Sequence, residues 1–212
     1  MKQLFFGAIL LLVLQSCATK QEYSFSDDFS GTSTFEANLA GYKDMLQSDT
    51  VNSFQSIVHT LDSSFQVFKS NVSKINGISN VRQLWEEDST LISFKFDYTT
   101  IEALNKAIIA GNNYGFLNLA SYEKFSAKKN KVTFIAGKID RENEAYEGFE
   151  LSKSMFEHKL VLNFKKRVVS IDNTVEYEIG EDGHSVVSRS NYLEIIDKES
   201  DSKPSVLNIK LK

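Results

Sequence analysis

The stretch LISFKFDYTTIEALNKAI, residues 91–108, places a strand pattern directly before a helix pattern. The apolar residues of its first half alternate with polar ones, at Ile92, Phe94, Phe96 and Tyr98. This period of two is typical of a strand with one buried face. The second half carries apolar residues at helical steps, and Thr99 and Glu102 have the spacing of a capping box. The stretch therefore predicts a strand that leads into a short helix, which we expect to end at Gly111.

A longer helix pattern precedes this stretch, over residues 52–75. Its apolar residues recur every three or four positions: Phe54, Ile57, Val58, Leu61, Phe65, Phe68, Val72 and Ile75. Such a helix is about 36 Å long at 1.5 Å per residue, and Asn76-Gly77 is a suitable end. The opposite face is mostly Ser, Gln, Asn and Thr with few charges. We expect the apolar stripe to cover a core, and the weakly charged face either to meet solvent or to contact a partner.

The other apolar alternations come in pairs separated by turn signals, which predicts hairpins. These pairs are 23–29 with 35–39, 81–85 with 91–98, and the two arms of 122–136. From residue 160 onwards only strand patterns follow, at 160–164, 175–179, 186–196 and 207–211. Strands joined by tight turns pair antiparallel. We therefore expect an α+β domain, an antiparallel sheet built of hairpins with one long and one short helix packed on one face.

Residues 1–16, MKQLFFGAILLLVLQS, have the cation and the short apolar run of a secretory signal. The run is too short for a spanning helix, which needs about 20 apolar residues. Leu14-Gln15-Ser16-Cys17 then resembles the lipobox of bacterial lipoproteins, with Gln15 where a small residue or Thr is more usual. The resemblance implies that Cys17 becomes the first residue and carries three acyl chains, palmitate among them. The alternative is an ordinary secretory signal that ends near a chance Cys.

The domain organisation follows from this terminus. We expect a signal peptide over 1–16, a lipidated tether over 17–22 and a single globular domain over 23–212. Loss of Lys2 with the signal peptide changes the net charge from −4 to −5. A negative net charge disfavours binding to nucleic acid or to an anionic lipid surface. Membrane contact is thus expected through the N-terminal lipid anchor. Because position 18 is Ala and not Asp, the sorting rule of the family implies the outer membrane of the cell envelope.

Motifs for catalysis or for metal binding are missing from the sequence. Two Ser-x-x-Lys matches, at 126–129 and 200–203, lie in an expected turn and in a charged loop. His59, His158 and His184 have no ligand spacing, and the acidic runs lack the alternation of a calcium loop. We therefore expect no catalytic residue, no metal, no cofactor and no enzymatic activity.

A short apolar segment over 112–120 is the candidate contact region, with Tyr114, Phe116, Leu117 and Leu119. These side chains either fill the core or project towards a partner or ligand. The favoured function is that of an accessory subunit of an outer-membrane or envelope protein assembly. The alternatives are a binding protein for a lipid or another apolar ligand, and an envelope hydrolase whose site no motif reveals.

The second of these functions has some support from a family resemblance. Ser26 to Ala40 and Ile92 to Ile108, with the order hairpin, long helix, hairpin, helix, are loosely similar to the domain of mycobacterial LppM-type lipoproteins. The similarity covers about a fifth of the mature chain and contains no diagnostic motif, so it implies no binding residue.

Overall fold

The structure, a computed structural model, describes residues 19–40, 43, 54–86, 90–113, 119–121, 123–139, 157–191 and 205–212. Within these ranges lie two helices, α1 (Phe54–Val72) and α2 (Ile101–Asn113). The strands are β1 (Thr19–Phe25), β2 (Gly31–Asn38), β3 (Ile78–Glu86), β4 (Leu91–Tyr98), β5 (Leu119–Ser121), β6 (Lys124–Lys128), β7 (Lys131–Ile135), β8 (Lys138–Ile139), β9 (Glu157–Phe164), β10 (Val168–Ile171), β11 (Glu178–Ile179), β12 (Ser185–Asn191) and β13 (Val206–Leu211). The α+β class expected from the sequence is confirmed.

Seven strands form the main sheet, in the order β11-β12-β9-β1-β2-β4-β3. The expected hairpins are present, since β1 pairs antiparallel with β2 and β3 with β4. One pair is parallel: β1 runs beside β9, from Thr19 opposite His158 to Phe25 opposite Phe164. The hairpin patterns predicted only antiparallel pairs. They miss this one because β1 and β9 are far apart in sequence and no tight turn sets their relative direction.

Both helices pack on one face of the main sheet, as expected. Phe65 of α1 stacks on Phe94 of β4 with ring centroids 5.1 Å apart, and Phe68 lies 6.4 Å from Phe96. From α2, Leu104 and Ile108 enter the same core, together with Ala107. Alternation in β1, β2 and β4 turns every second residue towards the helices, which explains why the aromatic residues gather on this face.

A second sheet of four strands, in the order β10-β13-β7-β6, packs beside the helices on the same face. Phe125 of β6 lies 4.7 Å from the ring of Tyr23 and 5.5 Å from that of Phe25, measured between centroids. The Asn105 side chain of α2 closes the free edge of β6: its Nδ2 donates to Phe125 O at 2.8 Å, and its Oδ1 accepts from Phe125 N at 2.9 Å. The sequence predicted β6, β7 and β13, but neither β10 nor the grouping of these strands into a separate sheet.

The ends of the helices differ in detail from the predictions. Thr100, not Thr99, caps α2, because Ala103 N donates to Thr100 Oγ1 at 3.1 Å. Glu102 pairs instead with Lys106, at 2.8 Å. Two adjacent threonines leave the cap ambiguous by one residue in the sequence. Gly77 follows α1 as expected, with a φ of +91°, and a Cβ at this position would lie 2.5 Å from the Thr99 hydroxyl oxygen.

The strand boundaries also differ at three places. β1 begins at Thr19, within the segment expected to be a tether, because Thr19 and Gln21 continue its buried face. The strand expected over 175–179 is reduced to β11, since the Asn173 side chain accepts from Glu176 N at 3.3 Å and holds the chain in a turn. The short β10 was not predicted. Residues 192–196 of the expected strand 186–196 lie outside the described residues.

Candidate functional site

A buried carboxyl group, that of Glu123, lies where the second sheet meets β1. Glu123 immediately precedes β6 and is 9% exposed. Its Oε2 accepts hydrogen bonds from Tyr23 OH at 2.8 Å and from Gln21 Nε2 at 2.9 Å. Gln21 Nε2 also donates to the Tyr23 oxygen. Because Gln21 and Tyr23 are two residues apart in β1, both point to the same face of the sheet. We refer to these three residues as the Glu123 cluster.

The electrostatics of the Glu123 cluster are set by burial. Burial raises the pKa of Glu123 to about 7, although the hydrogen bonds from Tyr23 and Gln21 favour the ionised form. Burial, with the charge of Glu123 second, also raises the pKa of Tyr23 well above its usual range. In the described part of the chain no cationic side chain pairs with Glu123. The carboxyl group can therefore hold a proton up to near-neutral pH, but it has little access to solvent.

A cavity of about 50 Å³ lies next to this cluster, between the main sheet and the two helices. The lining is largely aromatic, and comprises Gln21, Tyr23, Ser33, Phe35, Phe68, Phe94, Phe96, Ala107, Ile108 and Gly111. Ser33 and Gln21 are both more than nine-tenths buried. Among the described residues, neither the Ser33 hydroxyl nor the Gln21 side-chain oxygen has a hydrogen-bond partner. Such polar atoms in a cavity of this size are suited to bind a few water molecules.

The exposed side of α1 is a second candidate site. We define the outer face of α1 by its exposed residues, Gln55, Ser56, His59, Ser63, Gln66, Val67, Lys69 and Ser70. Lys69 is the one Lys, Arg, Asp or Glu in this set. Val67 is 47% exposed although it is apolar. The structure thus leaves the weakly charged face of the long helix uncovered by the described residues.

The site residues expected from the sequence lie mostly outside the described residues: Cys17, Tyr114, Phe116 and Leu117. Leu119 belongs to β5, which pairs antiparallel with β8. Of the histidines, His59 is on α1, His158 on β9 and His184 in the turn before β12, so the structure brings no two of them together.

Metal sites and membrane spans can be assessed only within the described ranges. These ranges contain no group of three or more His, Cys, Asp or Glu side chains arranged to hold a metal ion. Neither helix has the length and apolar character that a bilayer span requires.

The Glu123 cluster could not be found from the sequence. Gln21 lies in the expected tether, and Glu123 follows the segment 112–120 without any motif. The available signal was the period of two in β1. The buried face of Tyr23 and Phe25 continues towards the N-terminus through Gln21 and Thr19, so that the strand begins four residues earlier than expected. The polar character of Thr19 and Gln21 concealed that pattern.

Comparisons with known proteins add a likeness in fold. No protein-family model and no curated protein matches the chain. Among solved structures, the chain is similar to the folded domain of the LppM protein of Mycobacterium tuberculosis, determined by NMR. The two share 11% sequence identity with a TM-score of 0.46, over 93% of this chain and 90% of that chain. This likeness says nothing about a ligand or partner of this chain.

Proposed function

We propose that the chain is a lipid-anchored lipoprotein of the bacterial cell envelope, which acts by binding a protein partner. Its role would be that of an accessory subunit of an outer-membrane or envelope assembly, attached to the membrane through Cys17. The observation that carries the binding role is the outer face of α1.

The composition of the outer face of α1 allows a protein partner to bind there with little loss of charged side-chain hydration. From Gln55 to Ser70 it extends over about 22 Å of helix. Burying a charged side chain without a partner is unfavourable, and the centres of protein interfaces are accordingly depleted of charged residues. On this face, Lys69 is the charged residue and lies near the end of α1. A partner that covers Gln66 and Val67 therefore displaces water from amides, hydroxyls and one apolar side chain.

Binding of a lipid or another apolar ligand is the second candidate function. Ligand pockets usually enclose about 300–1,000 Å³, whereas the aromatic cavity next to the Glu123 cluster encloses about 50 Å³. An acyl chain does not fit in that volume. This cavity therefore gives no support to uptake of a lipid between the main sheet and the helices.

A hydrolase is the third candidate. Among the described residues, the Glu123 carboxylate and the Tyr23 hydroxyl, 2.8 Å apart, are one candidate acid–base pair. Tyr23 is 1% exposed and Glu123 is 9% exposed, so a substrate has no access to either. We therefore assign the Glu123 cluster a role in stability, and the proposed lipoprotein acts without catalysis.

Site-specific photo-crosslinking in intact envelopes tests the proposed partner. A photoreactive amino acid replaces Val67 on the outer face of α1, and in a matched control it replaces Val169 of β10, which is similarly exposed at 52%. We expect a discrete crosslinked envelope protein from position 67 and none from position 169. Equal or absent products at the two positions would refute the role of this face. Mass spectrometry of the mature N-terminus tests the anchor separately, since an unmodified Cys17 thiol contradicts it.

A further inference from the structure

The outer edge of β3 differs from the other edges of the described sheets. β3 is nine residues long and ends the main sheet, whereas β11 at the other end has two. In the second sheet the Asn105 side chain closes the edge of β6. An open edge strand presents unpaired N–H and C=O groups that can pair with another chain. β3 is thus the longest edge strand of the described sheets, and its regular part, 82–86, has five residues.

The hydrogen bonds of β4 show which residues of β3 face that open edge. Leu39 N donates to Thr90 O, so the backbone groups of Thr90 point towards β2. Because successive residues of a strand direct their backbone groups to opposite sides, the N–H and C=O of Leu91 point towards β3. The backbone groups of Ser93 and Lys95 also point towards β3. Ser93 pairs there with Leu84, and Lys95 pairs with Arg82. Gln83 and Trp85 lie between those bonded positions and therefore direct their backbone groups outward. Within the described residues neither has a hydrogen bond to another strand at this edge.

The side chains of Gln83 and Trp85 are held from the helix side. Gln83 Nε2 and Trp85 Nε1 both donate to the same oxygen of Asp62 on α1, and the Trp85 bond is 2.9 Å long. Pairing with β4 already holds β3 in an extended form, and these hydrogen bonds hold two of its side chains in place before any second strand arrives. The edge is therefore preorganised, which lowers the entropy lost on pairing.

The opposite face of β3 is self-complementary in charge. Arg82, Leu84 and Glu86 point the same way, away from α1, and all three are exposed. In an antiparallel pair of two β3 strands with Leu84 opposite Leu84, Arg82 of each copy faces Glu86 of the other. Among the described residues neither Arg82 nor Glu86 has an ion-pair partner. In this register Gln83 also faces Trp85, so the outward backbone groups form four hydrogen bonds across the seam.

We propose that two copies of the chain associate through β3 in this register, which goes beyond the proposed partner binding. The two main sheets then join into one continuous sheet about a two-fold axis at Leu84. A bulge limits the seam, because the register shifts between Ser79 and Arg82 and Asn80 has a φ of +53°. Five residues per strand make a small interface. Association is therefore weak in solution and is favoured where lipid anchors hold both copies on one membrane.

Engineered disulfides test the register. In the proposed dimer, Leu84 of one copy lies opposite Leu84 of the other, in a residue pair without mutual hydrogen bonds. The two Cα atoms of such a pair are about 4.5 Å apart. This separation allows a disulfide to form between two cysteines. We expect Leu84→Cys in the full lipidated chain to form a covalent dimer under mild oxidation. Val67→Cys is a control of matched exposure, at 47% against 44% for Leu84. Arg82→Cys is a register control, since two copies of position 82 are about 13 Å apart. The unsubstituted chain reports any contribution of Cys17.

The expected result is that Leu84→Cys crosslinks at least about tenfold faster than either control. Crosslinking no faster than Val67→Cys overturns the seam, and equal rates for Leu84→Cys and Arg82→Cys overturn the register.

Charge reversal provides an independent measurement. Arg82→Glu and Glu86→Arg each place like charges opposite one another twice, which weakens the dimer by about tenfold. Combining both substitutions restores opposite charges, so the dissociation constant should return to within about threefold of the parent value. Sedimentation equilibrium in density-matched detergent measures these constants for the lipidated chain. Failure of the double variant to recover, with both single variants weakened, overturns the proposed pairing of Arg82 with Glu86.

Discussion

Replacing Glu123 by Gln tests whether the buried carboxyl group makes the stability of the fold depend on pH. Gln keeps an oxygen that can accept from Tyr23 OH and Gln21 Nε2, as the Glu123 carboxylate does. It removes the charge that appears when Glu123 loses its proton. The substitution therefore separates the cost of the buried charge from the hydrogen bonds that surround it.

The magnitude follows from two pKa values, the ordinary 4.5 of a Glu and about 7 in the fold. The folded protein keeps the proton to higher pH than the unfolded chain does, so unfolding releases a proton between these values. The free energy of unfolding consequently falls as pH rises, by about 1.4 kcal/mol per pH unit at most. The total is about 3 kcal/mol, of which about 2.5 kcal/mol falls between pH 5 and pH 8.

Urea denaturation followed by circular dichroism at pH 5, 6, 7 and 8 measures this effect. We expect the stability of Glu123→Gln relative to the parent chain to rise by about 2.5 kcal/mol from pH 5 to pH 8. Comparison at each pH cancels the contribution of other groups, such as His158, whose pKa burial lowers to about 4. Asp28→Asn is the control, since hydrogen bonds from Ser30 lower the pKa of this exposed carboxyl group and it titrates below pH 5. A difference between Glu123→Gln and the parent that stays constant across this range would refute the assignment.

Three further substitutions test the packing of the fold. Asn105→Ala removes both hydrogen bonds to the Phe125 backbone. We expect the free energy of unfolding to fall by about 1–3 kcal/mol and the Phe125 amide to exchange its hydrogen faster. Unchanged exchange would contradict the closure of the β6 edge by Asn105. Phe65→Ala empties a position that is 2% exposed and should lower stability by about 3–5 kcal/mol, whereas Val67→Ala on the exposed side of the same helix should change it by less than about 0.5 kcal/mol. Thr100→Ala removes the cap of α2 and should lower stability by about 1 kcal/mol in thermal or urea denaturation, and a neutral result would mean that Ala103 N finds another acceptor.

Local patterns predicted the elements of this fold because each depends on residues that are close in sequence. The alternation of Ile92, Phe94, Phe96 and Tyr98 predicted β4, and the apolar stripe from Phe54 to Val72 predicted α1. The parallel pairing of β1 with β9 could not be predicted in this way. Both strands show a period of two, but that period contains no information on which strand lies next to which. The grouping of β10, β13, β7 and β6 into a second sheet was missed for the same reason.

The Glu123 cluster was missed because tertiary contacts decide whether a polar residue is buried. Thr19 and Gln21 continue a buried face with polar side chains, and Glu123 is buried only because the second sheet packs on β1. A pattern that marks apolar residues as inward assigns all three to the surface. The sequence did indicate that the exposed side of α1 is weakly charged, because that property depends on one helix alone.

The two surfaces that we propose for binding are joined through Asp62. This residue lies on α1 beside the outer face and accepts hydrogen bonds from Gln83 and Trp85, whose backbone groups form the seam between two β3 strands. A partner that displaced α1 would also move the side chains of Gln83 and Trp85 on β3. A partner that bound α1 without displacing it would leave the edge of β3 ready to pair. Reciprocity of coupling then requires that pairing of β3 strengthens or weakens partner binding by the same factor. Where a partner does displace α1, the hydrogen bonds of Asp62 therefore link partner binding to the pairing of β3.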